Sequence, residues 1–556
     1  MSLVCCRRSS VCFVALLAGL AMASALSGCT DDAVDGGSPT PSPSDVGTDA
    51  VADVGDEVSG DAESTDGSSA DAGVDAGPMP RPYPEPDAWP ANEGPGIGAV
   101  TFTEEQLYAN CAFLDPDRRD VTDHHNLVTM LNGYLVMPWA PEYSQGGITF
   151  FDISDPCSPT VAGTGFSETM RETHAIGFMI RGDERWAAVD SFTGILEGGI
   201  EFWDISDITA PARVSVLNLP GFMYPDAYAR VTISLFWQAP WVYVAGSDNG
   251  VYVVNASDPL NPQFVTQYTF DPVLRVGQVQ VIGNLLIATA AEGARTVLLD
   301  VSDPANPIAI PGGDFLAIDE TGEPKEAYFT NFSNGYVWYA RKQGGGGVMV
   351  MDIRDPSAPV YAGSYRSDGN GGYVFIHENY AFVGESRDAI IYDISDLTNI
   401  QPVATFDLEG DLDTMTPIGH LAVLSVDDKA IVNQGSSIAP WSTTPDTNPP
   451  AVTWSWPANG ATGLSLTSRI GVSFGEAVDA GSVFEGSVRL YVEGTDPAMT
   501  RVDGQLSAQE NIVNFSPLEP LAPNTTYVLE IPAGGVVDFA GNAIVEPFSL
   551  TFTTAE

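Results

Sequence analysis

The sequence predicts an all-β fold: a seven-bladed β-propeller followed by a β-sandwich, after a disordered N-terminal tether. Three observations predict it. One segment pattern recurs six times between residues 148 and 402, the mark of a repeat architecture. With 56 Gly, 41 Pro and 10% aromatic residues, the chain is rich in turn formers and strand formers. The last hundred residues read as short alternating strands at even spacing.

Charge removes several function classes. The chain of 556 residues carries 22 Lys and Arg against 73 Asp and Glu, a net charge of −51. Nucleic-acid binding needs clustered cations against phosphates, so no nucleic-acid partner is expected. Docking on anionic lipid through a basic face is excluded on the same ground. A hydrophobic fraction of 44% supplies real cores, and the length suggests two to four domains.

Residues 1–28 read as a secretory leader. Arg7 and Arg8 precede an apolar run, Val11 to Leu26, that is short for a bilayer span. The run ends in Leu26-Ser27-Gly28-Cys29, which resembles the lipobox of bacterial lipoproteins. The resemblance implies cleavage before Cys29 and lipidation of that residue, so the membrane is reached through a lipid anchor. The other reading is an ordinary signal peptide that contains a cysteine. Thr30 is not acidic, so the position associated with inner-membrane retention in some bacteria is not filled. The expected location is therefore the bacterial envelope, at the outer membrane or cell surface.

Residues 29–92 form the predicted tether. Between 30 and 80 there are 13 acidic and no basic side chains, with almost nothing apolar to bury. Such a segment repels itself and stays extended.

The repeats occupy 93–440. They read ITFFDISDPCSP from Ile148, IEFWDISDITAP from Ile200, VYVVNASDPLNP from Val251, VLLDVSDPANP from Val297, VMVMDIRDPSAP from Val348 and IIYDISDLTNIQP from Ile390. Their first polar positions, Asp152, Asp204, Asn255, Asp300, Asp352 and Asp393, lie 41 to 52 residues apart. Each unit parses into four strands. Asn132-Gly133 and Asn334-Gly335 mark hairpins between first and second strands. The Asp-Pro turn links the third to the fourth, its Asp binding backbone N–H groups two residues on. Four short antiparallel strands repeated this way describe a propeller blade. The repeat resembles the LVIVD repeat of bacterial and archaeal surface proteins, which implies a propeller at the cell surface and does not imply an enzymatic activity. A degenerate seventh unit is read near Asn433, with strands at Thr414–Ile418, Leu421–Ser425 and Lys429–Asn433. The segment Ile97–Thr103 is expected to close the ring by completing that last blade.

A linker at 441–450 separates the sandwich, 451–556. Its phrases SWPANGATGLSLTSRIGVSF, EAVD, PLAPNTTYVLEI and VVDFAGNAI resemble the SbsA-type bacterial Ig-like domain. That resemblance implies a spacer or adhesive unit. Trp454 and Trp456 read as packing within the sandwich or at the domain junction.

Few residues suggest chemistry. Cys111 and Cys157 are the only thiols left after the leader and Cys29 are set aside; they either pair or stay as buried thiols. His124, His125 and His174 precede the innermost strands of the first two blades, and later blades offer Arg230, Arg275, Glu326, Tyr373 and Asp413 at the corresponding place. Together they would ring one mouth of the channel, holding a metal or small ligand, or simply a hydrated polar surface. His377 and His420 fall in turns and read as solvated. No nucleophile motif or tight metal-ligand spacing is present in the sequence, no metal is assigned and no cofactor is expected. The expected function is a non-enzymatic surface lipoprotein that binds or scaffolds a protein or glycan partner. The alternative is an extracytoplasmic, metal-dependent enzyme acting at the channel mouth. Contacts are expected on the face of the ring, at Tyr224, Tyr228 and Arg230, unless the C-terminal module does the binding.

Overall fold

The computed structural model describes residues 80–84, 94–116, 127–140, 145–170, 173–194, 197–222, 234–407, 410–427 and 435–556. The leader, Cys29, nearly all of the tether, His124, His125, Tyr224, Tyr228 and Arg230 lie outside them. No helix of the described residues is long and apolar enough to cross a membrane.

The repeats fold as a ring of seven four-stranded antiparallel blades. In the third blade the order from the channel outwards is Ser234–Gln238, Trp241–Ala245, Val251–Asn255 and Gln263–Tyr268. First strands of neighbouring blades touch one another, while the fourth strands lie largely open to solvent. The middle strands are buried throughout, as in VYVV of Val251–Val254. This is why they read as nearly continuous apolar runs.

Turn chemistry repeats with the blades. In all six units the first Asp or Asn accepts a hydrogen bond from the N–H two residues on, as in Ser154 to Asp152 (2.9 Å) and Ser257 to Asn255 (2.9 Å). The second Asp does the same, as in Leu260 to Asp258 (3.0 Å). These side chains satisfy the backbone donors that a tight reversal leaves unpaired. A register shift just before the turn, such as Val253/Val254 or Ile391/Tyr392, also recurs in the third-to-fourth strand pairings of these six units.

Two details of ring closure differ from the sequence expectation. The last blade consists of Asp411–Ile418, Leu421–Asp427 and Ser436–Pro440, completed by Ala112–Leu114 rather than by Ile97–Thr103. Ser436–Pro440 is the third strand, so its Pro440 sits at a strand end, where a missing N–H is tolerated. Residues 97–103 have no ladder; Ile97 and Val100 pack partly buried against the core between the first and last blades. The register continues along the edge instead, with Tyr108 N–H donating to Pro440 O (2.8 Å) and Cys111 N–H to Ile438 O (2.9 Å). Cys111 is bonded to Cys157 as a disulfide, with Cα atoms 5.0 Å apart. It ties the closing strand to the Asp-Pro turn of the first blade.

The sandwich has one sheet of Val452–Trp456, Ile470–Phe474, Ile512–Pro517 and Gly504–Gln509, and another of Ala461–Leu464, Phe548–Thr554, Thr526–Ile531 and Arg489–Val492. It is not a free module. Gly504–Gln509 pairs with the innermost strand of the second blade, Ile176–Arg181, with Leu506 opposite Ile180 and Ala508 opposite Phe178. The two modules therefore share one eight-stranded sheet. Near the end of the predicted tether, Tyr83 is buried on the sandwich; its hydroxyl donates to Leu490 O (2.6 Å) and accepts from Leu490 N–H (3.1 Å). Arg489 and Arg501 stand over its ring. Residues 81–83 thus belong to the folded body.

Candidate functional site: the channel and the seam

The sandwich covers the face formed by the first-to-second strand turns, and it touches every blade. Asp479 accepts from the N–H groups of Asn132 (2.8 Å) and Gly133 (2.7 Å) of the first blade. The shared sheet joins the second blade. Ser507 Oγ accepts from Ala239 N–H of the third (3.2 Å), and Asn514 Oδ1 accepts from Gly283 N–H of the fourth (2.8 Å). Asn511 Nδ2 donates to Phe332 O of the fifth (2.9 Å), and Glu378 N–H of the sixth donates to Gly475 O (2.8 Å). Phe539 packs with Ile418 and Leu421 of the seventh. Trp454 lies edge-on to Phe332 at 5.2 Å, which places it at the domain junction.

The hairpin turn Gln509-Glu510-Asn511 enters the channel from this face. Gln509 bonds both Trp237 N–H (3.1 Å) and Leu235 O (2.8 Å), and Glu510 accepts from Gln280 and Asn331 (2.8 Å each). Loss of water pushes the Glu510 carboxyl up to about 7 against the pull of these two donors. The turn borders a mostly apolar cavity of about 40 Å³, room for one or two waters, lined by Val128, Ile176, Phe375 and Thr416.

Of the ring predicted at the opposite mouth, His174, Arg275, Glu326, Tyr373 and Asp413 are among the described residues. His174 and Tyr373 meet, Nδ1 to Oη at 2.9 Å, both almost fully buried. Phe329 stacks on Tyr373 with ring centres 3.9 Å apart and on His174 at 5.9 Å. Among the described residues, these side chains form an aromatic plug at this mouth, where polar residue types alone suggest a hydrated surface. Arg275 pairs with Asp248 (3.5 Å), and it is half-buried, as are Glu326 and Asp413. Asp413 contributes its carbonyl to Tyr373 N–H (2.9 Å), a backbone role.

His377 and His420 are not solvated. Both are buried because the sandwich and the connecting segment cover their turns. His420 Nε2 donates to Val100 O (3.0 Å). His377 lies between two acids, Nδ1 3.3 Å from Glu476 and Nε2 3.7 Å from Asp446. One ligand atom from each of the three lies within 4.8 Å of the others, the one such grouping of His, Cys, Asp and Glu among the described residues. Their side chains are 5 to 8% exposed. Burial, reinforced by Asp538, Asp446 and Glu378, pushes Glu476 up to about 9, and burial pushes His377 down to about 4. An open cleft of about 260 Å³ borders the group, lined by His377, His420, Trp441 and Asp446. Sequence reasoning missed this cluster because its members stand 69 and 30 residues apart, without ligand spacing.

Comparison with known proteins agrees with this architecture. The chain carries LVIVD repeats at 240–270, 333–367 and 368–407, and a bacterial Ig-like domain over 446–554. No curated protein matches it. Among solved structures it is similar to the computationally designed Ika8 protein (13% identity, TM-score 0.39, 60% of this chain and 99% of that one). It is also similar to the Pseudomonas aeruginosa periplasmic gluconolactonase PpgL (8%, 0.39, 50% and 82%) and to BamB from Moraxella catarrhalis (13%, 0.34, 55% and 80%). Likeness at this level says nothing about activity.

Proposed function

We propose that the protein is a non-enzymatic lipoprotein of the bacterial envelope, anchored through Cys29, that presents one propeller face to a protein or glycan partner. The observation that carries this reading is the seating of the sandwich on all seven blades, with Tyr83 docked on the sandwich. The chain enters the folded body at the sandwich, so the face it leaves open lies on the far side from that entry. A rigid ring presenting loops beyond a fixed base suits binding. The packing of His174, Phe329 and Tyr373 at the mouth supports a binding role over catalysis there.

Photo-crosslinking side chains placed at exposed Glu292 and Arg387, in the second-to-third strand loops of the fourth and sixth blades, test the face in the full chain on intact cells. They should capture one partner that a crosslinker at Glu493 on the sandwich does not. Alanine at Tyr224, Tyr228 and Arg230 should weaken that capture. Capture from Glu493 alone would assign binding to the sandwich and overturn the reading. Labelling with a fatty-acid probe that is equal in wild type and Cys29→Ser would remove the lipid anchor from it.

A further inference from the structure

We propose that His377, Asp446 and Glu476 form a binding site for a first-row divalent metal ion, with Zn²⁺ as the probe, and that the ion fastens the propeller to the sandwich. The three come from different parts of the fold. His377 ends the innermost strand of the sixth blade, Asp446 lies in the connecting segment, and Glu476 follows the sandwich strand Ile470–Phe474.

Two independent observations support a ligand here. The first is geometry: three donors of the right type lie within 4.8 Å of one another, where a tetrahedral ion with ligands at ~2.0–2.2 Å holds them about 3.4 Å apart. The second is an orphaned atom. The Asp446 side chain is 8% exposed, and its Oδ1 accepts from Asn448 N–H (2.9 Å), but its Oδ2, facing His377, has no hydrogen-bond partner. A buried carboxylate oxygen left in this way is costly unless a cation meets it. Its backbone is held as well, since Asn542 Nδ2 donates to Asp446 O (3.3 Å).

The donor set selects the ion. One imidazole with two carboxylates suits Zn²⁺ and its first-row neighbours, whereas Ca²⁺ and Mg²⁺ prefer all-oxygen shells. Three protein ligands leave a fourth position for water from the bordering cleft. Because the ligands span the seam, the ion binds the assembled form and not the separated modules. It therefore stabilises the seam by mass action.

The test uses the mature full chain, stripped with chelator and titrated with ZnCl₂ by calorimetry, with the melting temperature followed in parallel. The expected result is one tight equivalent and a melting temperature that rises with zinc but not with equal CaCl₂. Glu476→Gln and Asp446→Asn, which keep shape and hydrogen bonding, should each weaken that equivalent at least tenfold. Circular dichroism should match the wild type. Absence of the stoichiometric equivalent in the wild type, an equal response to Ca²⁺, or unchanged zinc binding in both variants would overturn the proposal. None of these outcomes bears on partner capture at the opposite face.

Discussion

Ser507 of the sandwich stands opposite Met179 of the second blade in a single antiparallel ladder. Peeling the modules apart would break that ladder and expose an edge in both, along with the buried side chains around Gln509 and Asn514. The seam is thus part of the core, and its chemistry sets the first prediction.

Asn514 is fully buried and bonds three propeller groups: Gln238 Nε2 (3.0 Å), Gly283 N–H (2.8 Å) and Val281 O (2.9 Å). Wild type should unfold in urea with propeller and sandwich in one transition. Asn514→Ala leaves these groups unpaired at roughly 1–3 kcal/mol each, so a loss of at least ~2 kcal/mol is expected. A change below ~0.5 kcal/mol would mean that the seam contributes little.

Glu510 sets a pH dependence. Its folded pKa of about 7 lies above the usual carboxyl value of 4.5, so between these values the folded state holds a proton that the unfolded chain has released. Stability from this group is therefore undiminished below pH ~4.5, falls as pH rises through the window, and is lowest above pH 7. Glu510→Gln imitates the neutral acid and can still accept from Gln280 and Asn331. It should melt with wild type at pH 4 and clearly higher at pH 8; equal melting at both would refute the assignment.

Phe329 stacks on Tyr373 and on His174 at the open mouth. Phe329→Ala should cost about 3–5 kcal/mol in urea unfolding, the usual loss for emptying a packed aromatic site. Leu at the same position should recover more than half. If Ala is neutral, the mouth is a wet surface and not a packed plug.

The disulfide closes a span of 46 residues between the ring-closing strand and the first blade. Cys157→Ser should lower stability by roughly 2–4 kcal/mol, and adding reductant should reproduce the loss in the wild type only. Non-reducing peptide mapping that finds both thiols alkylated would reject the link.

Blade architecture was legible because each blade carries its own instructions. Apolar runs that end in Asp-Ile-Ser-Asp-Pro fix a buried strand and an Asx turn within a dozen residues. The closing strand was misassigned because Ala112–Leu114 is only three residues long, and only its pairing with Ser436–Pro440 marks it as a strand. The hairpin that enters the channel was missed for a similar reason. Gly504–Gln509, GQLSAQ, is too polar to read as a strand by itself, since its partners are propeller backbone and amide groups.

The sequence by itself determined the ring of repeats and the sandwich, since strand periodicity and turn chemistry are local properties. Only the tertiary structure decided that the sandwich stoppers the channel and that the opposite mouth packs as an aromatic plug. It alone brings His377, Asp446 and Glu476 together. Those outcomes depend on contacts between residues tens to hundreds of positions apart, and the burial that makes them matter exists only once both modules are folded and seated.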